Sequence, residues 1–409
     1  MVDAAPVDPA RRRGWAEVDL GALRHNAALL ARTVAPAQLC AVVKANGYGH
    51  GSVAVARAAL AGGARWLAVA VVEEGAELRD AGVDAPVLLL SEPPAGAMDE
   101  AVALGLTPTL YTAEGVEAAS LAAARRETRT AVHVKVDTGM HRVGADPDGA
   151  VALALAVHGS ARLSLGGFWT HLAVADEPAH DFTAEQLRRF DAVLGRLEAE
   201  GIEPGLVHAA NSAGALAHPA SRHGLVRCGI ALYGHVPSAE LAGLGPVAEL
   251  RPSLTLKARV ALVRELDAGE RVSYGLRHRL ERRGTVATVP LGYADGVTRR
   301  LWAQGAEVLV GGRRCPMAGL VTMDQLMVDC GPGAAVAPGD EVVLIGRQGN
   351  EEVRAEEWAA RLDTITYEVL CAIGPRVPRV YVGEGDAHGS PADATDSHPS
   401  VAAGAARPR

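Results

Sequence analysis

Short apolar runs alternate with longer stretches rich in Ala, Leu and Arg over residues 12–245. The apolar runs have no polar face, which is typical of parallel strands that helices cover on both sides. Eight such strand–helix units predict a closed (β/α)8 TIM barrel. An open, doubly wound sheet is the alternative, because the pattern alone does not show closure. The predicted strands are 39–44, 66–72, 85–91, 107–111, 131–137, 163–171, 205–212 and 225–234.

The pattern of apolar and polar positions changes close to Gly245. Helical stretches fade after this residue, and alternating strands such as SLTLKARVALVREL and DEVVLIG follow, with Gly-rich turns between them. This pattern predicts a separate, mostly-β domain over 246–383. The last segment, 384–409, is polar and rich in Ala, Gly, Pro and Ser, which predicts a disordered tail. The expected fold class is therefore α/β, with an N-terminal TIM barrel and a C-terminal mostly-β domain.

Composition excludes several classes of protein. The 409 residues carry 40 basic and 48 acidic side chains, a formal charge of −8, whereas a nucleic-acid-binding surface needs clustered positive charge. No apolar run is long enough to span a membrane, and the start of the chain has no apolar stretch typical of a secretory signal. The five cysteines are scattered and form no CxxC, so we expect neither a disulfide scaffold nor a metal site. A cytoplasmic protein without nucleic-acid or membrane partners is expected.

Lysine is rare in this chain. Only Lys44, Lys135 and Lys257 occur among the 40 basic residues, so the other 37 are arginine. An amine can lose its proton and act as a base or a nucleophile, whereas a guanidinium stays protonated. The lysines are therefore candidates for chemistry that arginine cannot perform, although we expect Lys257 to be structural.

Polar side chains and glycines follow the ends of five predicted barrel strands, which is where TIM barrels place their active sites. Lys44 ends a buried strand, so loss of hydration should lower the pKa of its amine and suit it to a Schiff base. The run VRCGIALYG (226–234) offers backbone N–H groups to a phosphate, and Ser212 adds a hydroxyl. Pyridoxal 5′-phosphate (PLP) needs both features. The other candidates at these strand ends are Asp137, Thr138, Gly139, His171, Asn211, Arg227 and Gly229.

A set of motifs, in order along residues 12–383, resembles alanine racemase. The resemblance implies a PLP-binding barrel, a C-terminal β domain, and interconversion of L-alanine and D-alanine, the latter for cell-wall peptidoglycan. The combination of motifs is specific, although no single motif carries it. The motifs are AVVKANGYGHG (41–51), KVDTGMHRVG (135–144), THL (170–172), HAANSAG (208–214), VRCGIALYG (226–234), VSYG (272–275), PLGYADG (290–296), TMDQ (322–325) and TITYEVLC (364–371).

The resemblance implies a role for each matching residue. Lys44 would hold PLP and serve as one catalytic base, and Tyr274 would be the second base on the opposite face of a planar carbanion. Two high-pKa proton carriers suit racemisation, which needs one base on each face. Arg227, a poor proton donor, would bond the pyridine nitrogen, with His208 behind it. Further cofactor contacts would come from Tyr48, His171, Asn211, Ser212, Gly229, Ile230 and Tyr367.

The resemblance also assigns the substrate contacts. Arg142 and the backbone of Met323 would bind the carboxylate of an amino-acid substrate, and Lys135 would carry a carbamate that pairs with Arg142. Lys44 lies in the barrel, whereas Tyr274 and Met323 lie in the β domain. If the two domains extend end to end, the β domain of a second chain would complete the site, which predicts a head-to-tail homodimer.

Other activities on a similar scaffold stay open. A racemase of broader or shifted specificity, for example for serine, is the main alternative, because Thr322 stands where the family more often has cysteine. A non-catalytic PLP carrier would lack the β domain and Tyr274. A PLP decarboxylase would place a cysteine and an aspartate for a diamine where TMDQ (322–325) stands.

Overall fold

The computed structural model describes residues 13–383 of the chain. The predicted disordered tail, 384–409, lies outside the described residues, as do residues 1–12. Within the described part of the chain, no helix has both the length and the apolar character that crossing a membrane requires.

Eight parallel strands form the barrel that the sequence predicts. The strands are β2 (Gln38–Val42), β3 (Trp66–Val69), β4 (Val87–Leu89), β5 (Thr109–Leu110), β6 (Thr130–Lys135), β7 (Leu163–Trp169), β8 (Leu206–His208) and β9 (Leu225–Cys228). They pair in the orders β4-β3-β2-β9 and β5-β6-β7-β8. Backbone bonds join the two groups, because the N–H of Thr107 donates to Val87 O at 2.8 Å and the N–H of Gly224 donates to Val207 O at 3.0 Å. The barrel is therefore closed, and the alternative of an open sheet is wrong.

Helices cover the outside of the barrel. Short polar side chains cap several helix starts: the Asp19 carboxylate accepts the N–H of Ala22 at 2.9 Å, and the Thr112 hydroxyl accepts that of Gly115 at 2.9 Å. The helices are α1 (Leu20–Val34), the short α2 (Lys44–Tyr48), α3 (Ser52–Ala61), α4 (Val72–Asp80), α5 (Ala95–Ala103), α6 (Ala113–Arg125), α7 (Pro147–His158), α8 (Phe182–Ala199), α9 (Ser212–Ala217) and α10 (Gly245–Ala248).

The C-terminal part of the chain is mostly β, as predicted. Its elements are β10 (Leu254–Arg259), β11 (Leu262–Leu266), β12 (Arg271–Val272), β13 (His278–Arg279), β14 (Gly284–Val289), β15 (Glu307–Val310), β16 (Arg313–Pro316), β17 (Leu326–Gly331), β18 (Glu341–Gln348), β19 (Glu351–Val353), α11 (Ala355–Leu362), α12 (Thr366–Cys371) and β20 (Arg379–Val382). The main sheet has seven strands and contains β16-β15-β18-β10-β1-β20, with β19 paired to β18. A second sheet has the order β11-β14-β17, and β12 pairs with β13.

The first strand corrects the predicted domain boundary. β1 (Gly14–Asp19) falls within 12–245, which the sequence assigns to the barrel, but it pairs antiparallel with β10 and parallel with β20. Ala16 and Val18 of this strand are fully buried. The start of the described chain therefore belongs to the C-terminal sheet, because both strands that pair with β1, β10 and β20, lie there and not in the barrel.

Asn26 connects helix α1 to the segment that leads from the barrel to the β domain. Its amide nitrogen donates to Leu232 O at 3.0 Å and to Arg251 O at 2.8 Å, and its amide oxygen accepts the N–H of Arg251 at 2.9 Å. Asn26 is fully buried. Since polar backbone groups in the interior need partners, this one side chain satisfies three of them at the domain junction.

We expect Asn26→Ala to lower the free energy of unfolding by about 2 kcal/mol, because it leaves buried backbone groups without partners. The thermal unfolding midpoint of the variant, compared with the wild type, measures this loss. Arg32→Ala is the matched control, since Arg32 is an exposed residue of the same helix. Equal midpoints for Asn26→Ala and Arg32→Ala would contradict the assigned role.

Candidate active site

A pocket of about 600 Å³ opens where the barrel strands end. The carboxyl ends of the strands meet at this mouth, so residues that are far apart in sequence come together there. Most of the residues that the sequence singles out line it. These are Lys44, Tyr48, Lys135, Arg142, His171, Asn211, Ser212, Arg227, Gly229, Ile230 and Tyr367.

Asp137, Thr138 and Gly139 do not line this pocket; the Asp137 carboxylate instead accepts the N–H of Gly139 at 2.9 Å within its own turn. The two predicted residues of the β domain do not line it either. Tyr274 is 68% exposed and Met323 is 53% exposed, both on the surface of the β domain. Their loops are held in place, because Ser273 Oγ donates to Leu320 O at 2.7 Å and the N–H of Ala294 donates to Met323 O at 3.0 Å. One chain therefore brings the lysine to the pocket but leaves the tyrosine on an open surface.

The pocket is strongly cationic. Lys44, Lys135, Arg142 and Arg227 line it, and no carboxylate does among the residues that the structure describes. Burial, reinforced by Arg142, lowers the pKa of Lys44. Burial, reinforced by Arg227 and Arg142, lowers the pKa of Lys135 to about 7. The pocket thus attracts anionic ligands and, near neutral pH, holds a lysine amine that has lost part of its charge.

Arg227 is the central cation of the site. It is buried, and its guanidinium donates to Thr170 O and Ala209 O, both at 3.0 Å, and to His208 Nδ1 at 2.7 Å. The ring of Trp169 lies 4.4 Å from the guanidinium carbon. Burial lowers the pKa of Arg227 to about 10, so it remains protonated at neutral pH. Neutral acceptors thus hold this charge in a fixed orientation.

Two buried histidines extend the hydrogen bonds of Arg227. A guanidinium cannot accept, so His208 Nδ1 is the acceptor and its Nε2 carries the proton. His208 Nε2 therefore donates to His133 Nδ1 at 2.9 Å. Burial, with the charge of Arg227, lowers the pKa of both rings, that of His133 to about 3, which keeps them neutral. Gly167 makes room, because a Cβ there would lie 2.6 Å from the His133 ring.

Hydroxyl and amide groups also converge at this pocket. Ser212 Oγ accepts the N–H groups of Gly229 at 2.9 Å and Ala231 at 3.3 Å. A Cβ at position 229 would collide with the Tyr48 hydroxyl, so this position requires glycine. The ring centroids of Tyr48 and Tyr367 are 6.0 Å apart, and Tyr367 comes from α12 of the C-terminal part. Because the N–H groups of Gly229 and Ala231 already donate to Ser212, the hydroxyl groups of Ser212, Tyr48 and Tyr367 are the donors that form a cradle suited to a phosphate.

Lys44 opens a left-handed turn. A left-handed φ costs roughly 1–2 kcal/mol for each residue other than glycine, so the surrounding structure must hold this segment. Asn46 contributes by accepting the N–H of Ser52 at 3.0 Å, and Gly47 donates to Val43 O at 2.8 Å. The left-handed residues are Ala45, Asn46, Gly47 and Tyr48, with φ of 52°, 52°, 61° and 51°.

Comparison with known proteins agrees with this geometry. A model of the N-terminal domain of alanine racemase matches residues 18–237, and a model of its C-terminal domain matches residues 253–381. The chain belongs to the alanine racemase family. The alanine racemase of Symbiobacterium thermophilum is 48% identical over 373 residues, which are 91% of this chain and 98% of that protein. The family predicted from the sequence motifs is therefore confirmed.

Solved structures of alanine racemases share the whole fold. The alanine racemase of Streptomyces coelicolor has a TM-score of 0.86 and 40% identity, and covers 92% of this chain and 99% of that structure. The alanine racemase of Streptomyces lavendulae, a D-cycloserine producer, also has a TM-score of 0.86 and 40% identity, with 91% and 97% covered. The combination of TIM barrel and C-terminal β domain is therefore shared with alanine racemases.

Trp169 is a residue of this alanine racemase pocket that the sequence reasoning missed. Two cations lie over its ring: Lys135 Nζ is 4.3 Å from the ring centroid, and the guanidinium carbon of Arg227 is 4.4 Å from it. Its only sequence signal is its place directly before the THL motif (170–172).

Asn211, which lines the pocket, also accepts the N–H of Gly214 at 2.9 Å and so caps α9. A cap of this kind explains why asparagine suits the position independently of any ligand.

Proposed function

We propose that this protein is a cytoplasmic, PLP-dependent isomerase that interconverts L-alanine and D-alanine and supplies D-alanine for peptidoglycan. The observation that carries the proposal is the cationic pocket, in which a lysine with a lowered pKa shares one barrel mouth with a phosphate cradle. Relatives 40–48% identical over 90% or more of the chain are named alanine racemases, which favours alanine over the alternative of broader specificity.

The residues present fit PLP. The cradle at Gly229, which a Cβ would block, matches a bulky anionic phosphate, and the uncompensated cations match its charge. Lys44 would hold the cofactor covalently, and Arg227 would donate to its pyridine nitrogen. When bound, PLP withdraws electrons from the α carbon of an attached amino acid and so acidifies its Cα–H bond. The other contacts would come from Tyr48, His171, Asn211, Ser212, Ile230 and Tyr367.

The side chains of this chain would divide the proton chemistry between two faces. Lys44 Nζ can accept the Cα proton on one face, because burial and Arg142 lower the pKa of its amine. Tyr274 Oη would return a proton on the other face. Arg227 keeps its own proton at neutral pH, so it orients the cofactor without protonating the ring nitrogen. Arg142 and the Met323 backbone would hold the substrate carboxylate.

We expect the purified protein to form D-alanine faster than any other product from a panel of L-amino acids that includes serine and lysine. Chiral chromatography measures each rate. Lys44→Ala should lower the alanine rate by roughly a thousandfold, because it removes both the covalent link and one base. Lys257→Ala is the control, since Lys257 pairs with Glu17 at 3.2 Å, far from this chemistry.

Two outcomes would contradict this assignment. Borohydride reduction followed by peptide mapping should place the pyridoxyl group on Lys44, and a label on Lys135 or Lys257 would show that the site is wrong. A higher rate with serine than with alanine would instead favour the shifted-specificity racemase.

We propose further that Lys135 carries a carbamate. A lysine whose pKa is about 7 is largely neutral in mildly alkaline solution, and its nitrogen can attack CO₂, with loss of one N–H proton to solvent. The product is an anion with two oxygens, which can pair with the guanidinium of Arg142 in a bidentate arrangement. Such an anion would also offset part of the positive charge in the pocket.

The carbamate predicts a carbonyl signal in ¹³C NMR after incubation with labelled bicarbonate. The signal should grow as the pH rises from 6 to 8, because the reactive amine is neutral only above the pKa of about 7. Lys135→Ala should lack it, and Lys257→Ala should keep it. A signal that is independent of pH, or that survives Lys135→Ala, would rule out this modification.

We propose that two chains pair head to tail, so that Tyr274 and Met323 of one chain complete the pocket of the other. Large apolar side chains on the β domain support an interface there, because Leu276 is 56% exposed and Ile365 is 59% exposed. A two-fold pairing would bury both copies of this surface and complete two pockets at once.

Mixing of inactive variants tests the pairing. Lys44→Ala and Tyr274→Phe proteins, mixed under conditions that exchange subunits, should recover about a quarter of wild-type activity, because half of the dimers are mixed and each holds one intact pocket. Subunit exchange is verified with differently tagged chains. If exchange occurs and activity stays at the level of the two parents, both bases come from the same chain.

A further inference from the structure

Glu74 is a carboxylate that bonds two neighbouring strand ends. It lies in the first turn of α4, the helix that follows β3, and one of its oxygens, Oε2, accepts the N–H of Ala70 at 2.8 Å. Its other oxygen, Oε1, accepts the N–H of Ala45 at 2.6 Å. Ala45 directly follows Lys44 at the end of β2. Because Glu74 lies in the first turn of α4, this helix fixes the position of its carboxylate. The carboxylate in turn holds Ala45, the residue after Lys44.

The carboxylate of Glu74 gives the N–H of Ala45 a hydrogen-bond acceptor from outside the left-handed turn. Within the turn, Gly47 donates to Val43 O at 2.8 Å and Gly49 donates to Ala45 O at 3.0 Å. The N–H of Ala45 is the first donor of the turn, and its acceptor is the carboxylate of Glu74. A bond from an amide to an ionised carboxylate is stronger than one between neutral groups. Glu74 therefore holds the strained segment at its first residue.

The same carboxylate changes the electrostatics of Lys44. Burial and Arg142 lower the pKa of the Lys44 amine, and the negative charge of Glu74 opposes them and raises it. Glu74 does not line the pocket, so it affects Lys44 through its charge and through Ala45.

We propose that Glu74 is a positioning residue for Lys44: its carboxylate holds the left-handed turn and thereby orients the amine in the pocket. The importance of this orientation for catalysis rests on the proposed function, in which Lys44 holds PLP. A purely structural alternative exists, since Glu74 also caps α4: its Oε2 accepts the N–H of Val71, the residue directly before the helix, at 3.4 Å. The experiment must therefore separate an effect on the turn from an effect on the helix.

Glu74→Gln is the informative variant, because glutamine keeps the shape and one acceptor oxygen but loses the charge and the second acceptor. Glu73→Gln is its matched control, since Glu73 is the adjacent, exposed residue of the same helix. Hydrogen exchange of the full-length protein, with and without PLP, should rise about tenfold in the 44–50 segment of Glu74→Gln, as loss of a charge-assisted hydrogen bond predicts. It should not rise in Glu73→Gln.

A second measurement reports on the amine itself. The pH profile for acylation of Lys44 in the full-length, cofactor-free protein should shift to lower pH in Glu74→Gln, because a carboxylate nearby favours the charged amine. Glu74→Ala should shift it in the same direction.

Two results would overturn the proposal. One is faster exchange confined to residues 72–80 of α4, which would leave Glu74 as a helix cap only. The other is an acylation profile that matches that of Glu73→Gln. Both readouts are independent of racemase activity, so a failed proposed function, with the pyridoxyl group on another lysine, is distinguishable from a failed role for Glu74.

Discussion

Arg227 places a permanent positive charge inside the barrel mouth, and the surrounding groups are arranged around it. Its partners are backbone carbonyls, a neutral histidine and the face of Trp169, so none of them cancels the charge. The positive charge of Arg227 therefore acts on the ionisable groups around it. Burial, reinforced by this charge, lowers the pKa of Lys135 and of His208, and neutral His208 in turn accepts the hydrogen bond that orients Arg227. Because these effects are mutual, a change at any one of these side chains would alter the others.

The path of the chain explains why residues of both the barrel and the C-terminal part line the pocket. β1 lies in the C-terminal sheet, and the chain enters the barrel only at α1, so the first and last described strands, β1 and β20, are hydrogen-bonded to each other. This arrangement places α12 against the barrel mouth, where Tyr367 joins the phosphate cradle beside Tyr48. The loop of Tyr274 belongs to the same C-terminal part but faces away, onto an exposed surface.

Most of the barrel and much of the site could be predicted from the sequence, since both leave local signals. A buried parallel strand is a continuous apolar run, and a strand end that carries Lys44 or Arg227 interrupts such a run with a charge. β1 was not among the predicted strands, and its place in the C-terminal sheet could not be predicted either, because a strand does not encode which sheet it joins. His133 was missed since a histidine within a strand is usually a core residue. Glu74 was missed because its bond to Ala45 depends on a left-handed turn that only coordinates show.

The three lysines of the chain differ in whether they form an ion pair with a carboxylate. Lys257 forms ion pairs with Glu17 at 3.2 Å and Glu341 at 3.6 Å, and the expectation of a structural role fits these contacts. Within residues 13–383, Lys44 and Lys135 form no ion pair with a carboxylate, and arginines are the charges that face them most strongly. A lysine in a cationic pocket is driven toward its neutral form, whereas arginine in the same place would stay charged. Arginine at position 44 or 135 would therefore not offer the neutral amine that the reactions proposed for these two residues use.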